Sequence, residues 1–159
     1  MTLVGIGFDS HRFAAGRRLV IGGVEIPYEM GLDGHSDADV LAHAVTDALL
    51  GAAGMGDIGE HFPDSDERWR NADSMQLLAS VAQRVREAGL EIGNVDCTVV
   101  MEAPKLSPHR DAIRQRLAAT LGLESARVGV KASTGEGMGF VGRGEGVAAL
   151  AVAGLRDGA

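Results

Sequence analysis

The sequence predicts an α/β fold of the α+β sandwich type, in which one mixed β-sheet carries helices on one face. Segments with the two-residue period of strands and segments with the 3.6-residue period of helices follow one another without strict alternation. Their predicted order is β-β-β-α-α-β-α-β-β, which favours this architecture over a doubly wound fold. The predicted helices are too few to cover both faces of such a sheet. We therefore expect oligomerisation to bury the second face.

The N-terminal strands are predicted from an apolar run at residues 3–6 and from a hairpin signal. Leu19–Ile21 and Val24–Ile26 flank the dipeptide Gly22-Gly23, which is typical of two-residue hairpin turns. A loop is expected at residues 28–34.

A helix is predicted from His35 to Gly51, because apolar residues recur there with helical period. Ser36 and Asp39 have the spacing of a capping box at its start, and Gly51 is expected to end it. The residues expected to face the core are Val40, Leu41, Ala44, Val45, Ala48 and Leu49.

The remaining chain predicts loops, two helices and three strands. Residues 52–71 show no periodicity, and a loop of this length is typically either functional or a mobile surface connection. Helices are predicted at residues 73–88 and 107–122, and strands at residues 95–101, 127–132 and 147–153. A glycine-rich loop is expected at residues 135–146.

Composition limits the classes of function. The 159 residues suit a single domain, residues 1–159, and with only 4% aromatic residues its core must be built from aliphatic side chains. The single cysteine, Cys97, leaves no disulfide framework, and we expect a cytoplasmic protein without a signal peptide or membrane span. A net charge of −7 argues against binding to nucleic acid, whereas a small phosphorylated substrate is compatible with it.

A metal centre is predicted from Asp9, His11 and His43. Asp9 and His11 are two residues apart and therefore project from one face of an extended strand. His43 shares a polar helix ridge with Asp39 and Asp47, four residues away on either side. If this ridge meets the strand, one carboxylate and two imidazoles form a catalytic Zn²⁺ site, with Asp39 or Asp47 orienting the imidazole. The alternatives are a simple Asp–His hydrogen bond and a solvated surface histidine.

A phosphate-binding region is predicted from three loops that follow strands, at residues 101–109, 133–137 and 139–146. Their glycines allow close approach of the backbone to a ligand, and Lys105, Lys131 and Arg143 are cations suited to phosphate. Glu136 offers a hard oxygen ligand for Mg²⁺ or Mn²⁺ shared with a diphosphate. Neither a Walker A motif nor a Rossmann fingerprint is present. The alternative is a set of turns with solvated charges.

A series of short motifs occurs in order along nearly the whole chain, from about residue 4 to residue 152. They are GFDSH (7–11), IGGV (21–24), HSDAD (35–39), TDALLG (46–51), GDIG (56–59), FPD (62–64), NVD (94–96), APK (103–105) and GFVGRGEG (139–146). With these motifs the chain closely resembles the 2-C-methyl-D-erythritol 2,4-cyclodiphosphate synthase family, enzymes of the non-mevalonate route to isoprenoids.

The resemblance implies roles for the predicted site residues. Asp9, His11 and His43 would hold Zn²⁺, and Glu136 would contact a second ion, Mg²⁺ or Mn²⁺, on the substrate diphosphate. His35 and Thr134 would position the reacting phosphates and stabilise them. Further substrate contacts would come from Ser10, Ser36, Ile58, Ser133, Gly135, Phe140 and Arg143, in addition to Asp9, His11, His35, Thr134 and Glu136.

The resemblance also implies where each part of the substrate binds. Asp57 and Gly59 would hold the ribose. The methylerythritol end would be covered by Phe62, Pro63, Asp64, Ser65 and Asp66. The cytosine would be bound, largely through backbone groups, by Met101, Glu102, Ala103, Pro104, Lys105, Leu106 and Ser107.

The implied assembly is a homotrimer with active sites between adjacent subunits. Phe8, Phe140, Arg143 and Glu145 would lie near a central apolar channel that holds isoprenoid diphosphates. The implied substrate is 4-diphosphocytidyl-2-C-methyl-D-erythritol 2-phosphate, which would yield the cyclic diphosphate and CMP. The alternatives are a Zn²⁺-dependent phosphoesterase that activates water and a non-catalytic trimer that binds isoprenoid diphosphates.

Overall fold

A mixed sheet of five strands forms the framework of the protein, for which a computed structural model describes residues 1–159. The strands are β1 (Thr2–Ala15), β2 (Leu19–Ile21), β3 (Val24–Ile26), β4 (Met30–Leu32), β5 (Leu90–Val100), β6 (Val128–Ser133) and β7 (Gly146–Asp157). The helices are α1 (Val40–Ala53), α2 (Ile58–His61), α3 (Ser74–Glu87), α4 (Arg110–Leu121) and α5 (Gly139–Gly142). Short 3₁₀ turns lie at Glu67–Trp69, Ser107–His109 and Ser125–Arg127.

The sheet has the strand order β4-β1-β7-β5-β6. Strand β7 is antiparallel to both of its neighbours, β1 and β5, whereas β5 and β6 are parallel. Strand β4 pairs with the end of β1, and β2 and β3 form a separate two-stranded ribbon. The predicted mixed sheet is therefore confirmed.

The three long helices pack on one face of the sheet. Helix α1 lies on β1 and β7, α3 contacts β5, and α4 contacts β6. The core between these layers is aliphatic, as the composition predicts, and Phe62 is the only aromatic side chain in it.

Helix α1 approaches β1 very closely at two glycines of the strand. A Cβ atom at Gly7 would lie 1.8 Å from the carbonyl oxygen of Ala44, and one at Gly5 would lie 2.1 Å from that of Ala48. Only a residue without a side chain permits this contact between the two backbones. The contact sets the first turns of α1, which carry His43, beside Asp9 and His11.

The opposite face of the sheet carries exposed apolar side chains. On β1, Val4 is 67%, Ile6 70% and Phe8 56% exposed, and Leu150 and Val152 on neighbouring β7 are also exposed. No helix of this chain covers these residues. This surface is the one that the expected oligomerisation would bury.

The first strand is longer than predicted. It continues through Ala15, because β1 pairs with β7 from Thr2 to Arg12 and then with β4. Asp9 and His11 therefore lie well inside the strand rather than at its end. Strand β4 was not predicted, since its three residues centre on Gly31 and have no alternating pattern.

Both predicted ends of the first helix are wrong. Helix α1 begins at Val40, and its N-cap is Asp39, whose carboxylate accepts the N–H of Ala42. Ser36 lies in the preceding loop, so the proposed capping box does not form. The helix continues through Gly51 and ends at Gly54, which supplies the left-handed backbone conformation of the cap.

The two predicted loops contain short helices. Residues 52–71 include α2 and a 3₁₀ turn, which Asp57 and Asp66 cap by accepting backbone N–H groups, and residues 135–146 include α5. A segment of four residues or fewer is too short to show a helical period. The hairpin and the helices predicted at residues 73–88 and 107–122 are present, although a 3₁₀ turn opens the latter. No helix is both long enough and apolar enough to cross a lipid bilayer.

Candidate metal centre and adjoining cavity

The structure brings Asp9, His11 and His43 together in one cluster. Oδ2 of Asp9 lies 2.8 Å from Nε2 of His11 and 3.0 Å from Nδ1 of His43. The two histidine nitrogens are 3.4 Å apart. Ligand atoms around a tetrahedral zinc ion, with bonds of about 2.0–2.1 Å, are separated by about 3.3 Å. The cluster therefore has the spacing of a divalent metal site with three protein ligands and one open position.

The local fold explains this arrangement. Asp9 and His11 project from the helix-covered face of β1, and His43 projects from α1 where the helix crosses the strand. The Nδ1–H of His11 donates to the carbonyl oxygen of Asp33 at 3.0 Å, which leaves Nε2 free for a ligand. All three side chains are half-buried.

The cluster shifts the acidities of its members. Burial alone would raise the pKa of Asp9, but hydrogen bonds from His11 and His43 outweigh it and lower the pKa from 3.8 to about 2. Burial would lower the pKa of His11, but the hydrogen bond to Asp9 outweighs it and raises that pKa above 6.5. The metal-free cluster therefore favours an ion pair between Asp9 and His11.

This ion pair predicts a pH window for the stability of the metal-free protein. The lowered pKa of Asp9 contributes stability above pH 3.8 that is lost as pH falls towards 2. The raised pKa of His11 contributes stability below pH 6.5 that is lost as pH rises through its folded value. Thermal unfolding in a chelator should therefore show the largest deficit of Asp9→Asn between these limits. The exposed Asp111→Asn variant is the control, and a deficit of Asp9→Asn that does not vary with pH would contradict the pairing.

The two aspartates expected to orient His43 instead accept hydrogen bonds from backbone N–H groups. The fully buried carboxylate of Asp39 accepts N–H groups from Gly22 at 2.8 Å, Gly23 at 2.7 Å and Ala42 at 3.0 Å, which joins the hairpin turn to α1. The carboxylate of Asp47 accepts the N–H of Ile58 at 2.8 Å. Neither hydrogen-bonds to the imidazole, so the predicted role is wrong. As the N-cap of α1, Asp39 instead accepts a backbone N–H of the first helical turn, which has no partner within the helix.

Serine side chains contact the second ring nitrogen of His43. Its Nε2 lies 2.8 Å from Oγ of Ser74 and 3.2 Å from Oγ of Ser36. Ser74, which starts α3 directly after its N-cap, Asp73, was not among the predicted site residues. Its position in the sequence indicates only a helix start, because Ser74 and His43 are 31 positions apart and no spacing rule relates them.

A cavity of about 350 Å³ adjoins the metal ligands. Its lining includes seven further residues of the predicted substrate site: His35, Ser36, Ile58, Gly59, Phe62, Pro63 and Asp64. Trp69 and Leu77 also line it and were not predicted. The imidazole Nε2 of His35 lies 3.4 Å from the carbonyl oxygen of Asp66, which links it to the covering segment. The cavity is thus large enough for part of a small phosphorylated ligand.

Some predicted residues lie around this cavity without lining it. Asp57 caps α2, and its carboxylate accepts the N–H of Glu60 at 3.0 Å. Asp66 forms an exposed ion pair with Arg68. Ser65 and Asp66 are absent from the lining, and Ser10 instead lines a second depression together with Phe140 and Glu145.

The predicted nucleotide and diphosphate loops lie together at another place on the sheet. They follow β5 and β6, two parallel neighbours whose carboxyl ends meet at one edge. The carboxylate of Glu102 accepts the N–H of Gly135 at 2.7 Å, and the N–H of Met101 donates to the carbonyl oxygen of Ser133 at 2.9 Å. Thr134 and Glu136 are exposed on this edge.

The cavity next to the metal ligands contains no residue from these two loops. Strand β7 separates β1 from β5, so the loops stand about 10 Å or more from Asp9 across the sheet. Two of the predicted phosphate cations are also engaged elsewhere, because Lys131 pairs with Asp96 at 2.6 Å and Arg143 pairs with Glu145 at 2.8 Å. One chain therefore presents two separate parts of the predicted site.

Comparisons with known proteins identify the family. The model of the YgbB family matches residues 2–156. The 2-C-methyl-D-erythritol 2,4-cyclodiphosphate synthase of Halalkalibacterium halodurans is 59% identical over 152 residues, 96% of this chain and 97% of that protein. The bifunctional IspDF from Campylobacter jejuni has a TM-score of 0.95 at 48% identity, and the match covers 99% of this chain but 42% of that one.

A solved 2C-methyl-D-erythritol-2,4-cyclodiphosphate synthase in a form with bound CDP has a TM-score of 0.89 at 39% identity. That match covers 96% of this chain and 99% of the other. The resemblance found in the motifs is thereby confirmed. On sequence and structure together, the chain belongs to the YgbB family, with 2-C-methyl-D-erythritol 2,4-cyclodiphosphate synthases as its relatives.

Proposed function

We propose that this protein converts 4-diphosphocytidyl-2-C-methyl-D-erythritol 2-phosphate into 2-C-methyl-D-erythritol 2,4-cyclodiphosphate and CMP, as a phosphorus–oxygen lyase. The observation that carries the proposal is the cluster of Asp9, His11 and His43 beside the 350 Å³ cavity. High identity to synthases of this name over nearly the full chain supports it.

The reaction needs positioning and charge neutralisation more than proton transfer. An oxygen of the 2-phosphate forms a bond to the β-phosphorus, and the bond from that phosphorus to the bridging oxygen breaks. The electron pair of the broken bond leaves with CMP. Because the nucleophile is already an anion, no general base is required, and the difficulty lies in bringing two anions together.

The chain's own residues would meet this difficulty in the following way. Asp9, His11 and His43 would hold Zn²⁺, which when bound supplies positive charge and Lewis acidity to the diphosphate. His35, which lines the same cavity, would donate a hydrogen bond to a phosphate oxygen. Gly59 and Asp57 would hold the ribose, and Phe62, Pro63 and Asp64 would exclude water from the methylerythritol end.

The two loops after β5 and β6 would supply the other half of the site. Residues 101–107 would bind the cytosine through backbone groups, and Thr134 and Glu136 would hold the diphosphate and its Mg²⁺ or Mn²⁺ ion. The exposure of Thr134 and Glu136 supports this role, as do the hydrogen bonds that join the two loops. A related synthase with bound CDP supports a cytidine nucleotide as ligand.

A homotrimer would unite the two halves. The exposed apolar side chains of Val4, Ile6 and Phe8 offer a surface for association, and the loops after β5 and β6 are absent from the cavity beside the metal ligands. We therefore propose that adjacent subunits share each active site. The same apolar surface, with Phe140 and Arg143 nearby, would line a central channel able to hold an isoprenoid diphosphate.

We also propose a cytoplasmic location for this protein, since its only cysteine is unpaired.

Product analysis tests the proposed reaction. With the cytidyl substrate, zinc and Mg²⁺, ³¹P NMR should show a cyclic diphosphate and CMP in equal amounts. A linear phosphate product would instead indicate a zinc phosphoesterase that uses water at the open metal position. If the zinc-loaded protein shows no turnover, the result would indicate a non-catalytic protein that binds isoprenoid diphosphates. The proposed activity would then be wrong.

A further inference from the structure

Ser74 is a buried residue that contacts a metal ligand but has no role in the reaction proposed above. Its side chain is fully buried at the start of α3, and its Oγ lies 2.8 Å from Nε2 of His43. The other ring nitrogen of His43, Nδ1, faces Oδ2 of Asp9 at 3.0 Å. The imidazole therefore has one nitrogen in the metal cluster and one against a hydroxyl group.

The contacts of Ser74 fix the direction of its hydrogen bonds. Its single hydroxyl proton points to the carboxylate of Asp37, which is in close contact with Oγ and can only accept. Towards His43, Oγ can then only accept. Nε2 of His43 must therefore carry a proton, so that in the neutral imidazole Nδ1 is left with a lone pair that points into the cluster.

Ser36 offers the one competing arrangement. Its Oγ accepts the N–H of Ala38 and lies 3.2 Å from Nε2 of His43, so its proton could in principle go to that nitrogen. A lone pair on Nε2 would then face a lone pair of Ser74 Oγ at 2.8 Å. With the proton on Nε2, the hydroxyl of Ser36 donates to Ser74 Oγ at 3.4 Å, and the lone pair of Nδ1 faces the carboxylate of Asp9 at 3.0 Å, which is the arrangement that a cation between them requires.

Asp37 is itself held in place by the backbone. Its carboxylate accepts the N–H of Ser74 at 3.1 Å and the N–H of Asp39 at 3.2 Å, so the start of α3 and the cap of α1 both fix it. The chain of contacts from Asp37 through Ser74 to His43 thus connects two helices to the metal cluster.

We propose that Ser74, held by Asp37, is a positioning residue that keeps the proton of His43 on Nε2 and presents Nδ1 to the metal. The inference rests on the metal centre of the proposed function. A metal ligand must be a neutral imidazole whose coordinating nitrogen carries no proton, and the partner of the other nitrogen selects that tautomer. Loss of such a partner typically weakens metal binding by about 10-fold to 100-fold.

The test compares Ser74→Ala with Thr46→Ala. Thr46 is an equally buried hydroxyl residue on α1, and it donates to the carbonyl oxygen of Ala42 rather than to the metal cluster. Competition with a chromogenic chelator measures the dissociation constant for Zn²⁺. Ser74→Ala should raise this constant by about 10-fold to 100-fold, while Thr46→Ala leaves it at the wild-type value.

A second variant tests the chain of contacts. In Asp37→Asn, one carboxylate oxygen becomes an NH2 group that faces either the hydroxyl or the backbone N–H of Ser74, both of which are donors. Zinc binding should therefore weaken in this variant as well. If Asp37 acts through Ser74, the double variant should bind zinc no more weakly than Ser74→Ala alone. In zinc-loaded protein labelled with ¹⁵N-histidine, the Nε2 proton of His43 should exchange with water faster in Ser74→Ala than in wild type or Thr46→Ala.

The possible results are distinct. Zinc affinity unchanged in Ser74→Ala, or lowered equally in Thr46→Ala, would overturn the positioning role while leaving the metal centre intact. If Ser74→Ala does not fold, an unchanged zinc affinity in Asp37→Asn would likewise overturn the positioning role. A wild-type protein that binds no zinc would remove the metal centre itself and this inference with it.

Discussion

His43→Ala is expected to abolish zinc binding and synthase activity while the protein stays folded. Removal of one of three ligands should weaken zinc binding by more than about 100-fold, beyond the effect of losing a supporting partner. The fold should persist, since His43 lies on the polar side of α1, and the aliphatic core does not include it. Zinc content by atomic emission, together with circular dichroism, measures both results.

His109→Ala is the matched control for this variant. It makes the same substitution at a histidine near the start of α4, outside both the metal cluster and the adjoining cavity. It should retain full zinc content. An equal zinc content in wild type and in His43→Ala would refute the assignment of the cluster as the metal site.

Mixed oligomers of His43→Ala and Thr134→Ala are expected to regain activity that neither variant has alone. The first variant damages the metal half of the site, and the second damages the diphosphate half. In a cyclic trimer with shared sites, each interface draws its halves from two independently chosen subunits. Random mixing should therefore make about a quarter of the interfaces intact on both sides.

The experiment requires co-unfolding and refolding of two differently tagged variants. Isolation of oligomers that carry both tags verifies the mixing, and each variant refolded alone gives the background activity. Thr134 is a suitable partner because its exposed side chain bonds only to the nearby N–H of Glu136, so its loss should not disturb the fold. Verified mixed oligomers without activity would place the whole site within one subunit.

The proximity of Asp9, His11 and His43 agrees with what regular spacing on a strand and a helix predicts. The two-residue spacing of Asp9 and His11 specifies a shared strand face. It does not specify that His43 reaches the same place. That depends on Gly5 and Gly7, which allow α1 to lie directly on β1. Short elements such as β4 and α2 escaped prediction because they are stabilised by pairing and capping partners rather than by their own periodicity.

The partners of His43 show the limit of spacing arguments most clearly. Asp39 and Asp47 stand one helical turn away and were expected to orient the imidazole, but they bind backbone N–H groups of other segments. The residue that contacts Nε2 is Ser74, on a different helix. Spacing gives the face of a helix on which a side chain lies, whereas the nearest partner depends on what packs against that face.

Sequence patterns were sufficient to predict the mixed sheet, its aliphatic core, the three metal-ligand candidates and, through ordered motifs, the family. These features depend on local periodicity and on residue type, and both can be read directly from the amino-acid sequence. The folded chain was needed to see that Ser74 contacts both His43 and Asp37, and that the loops after β5 and β6 lie apart from the cavity beside Asp9. The physical reason is that hydrogen-bond partners and strand order are set by long-range packing, which joins residues that spacing along the chain cannot relate.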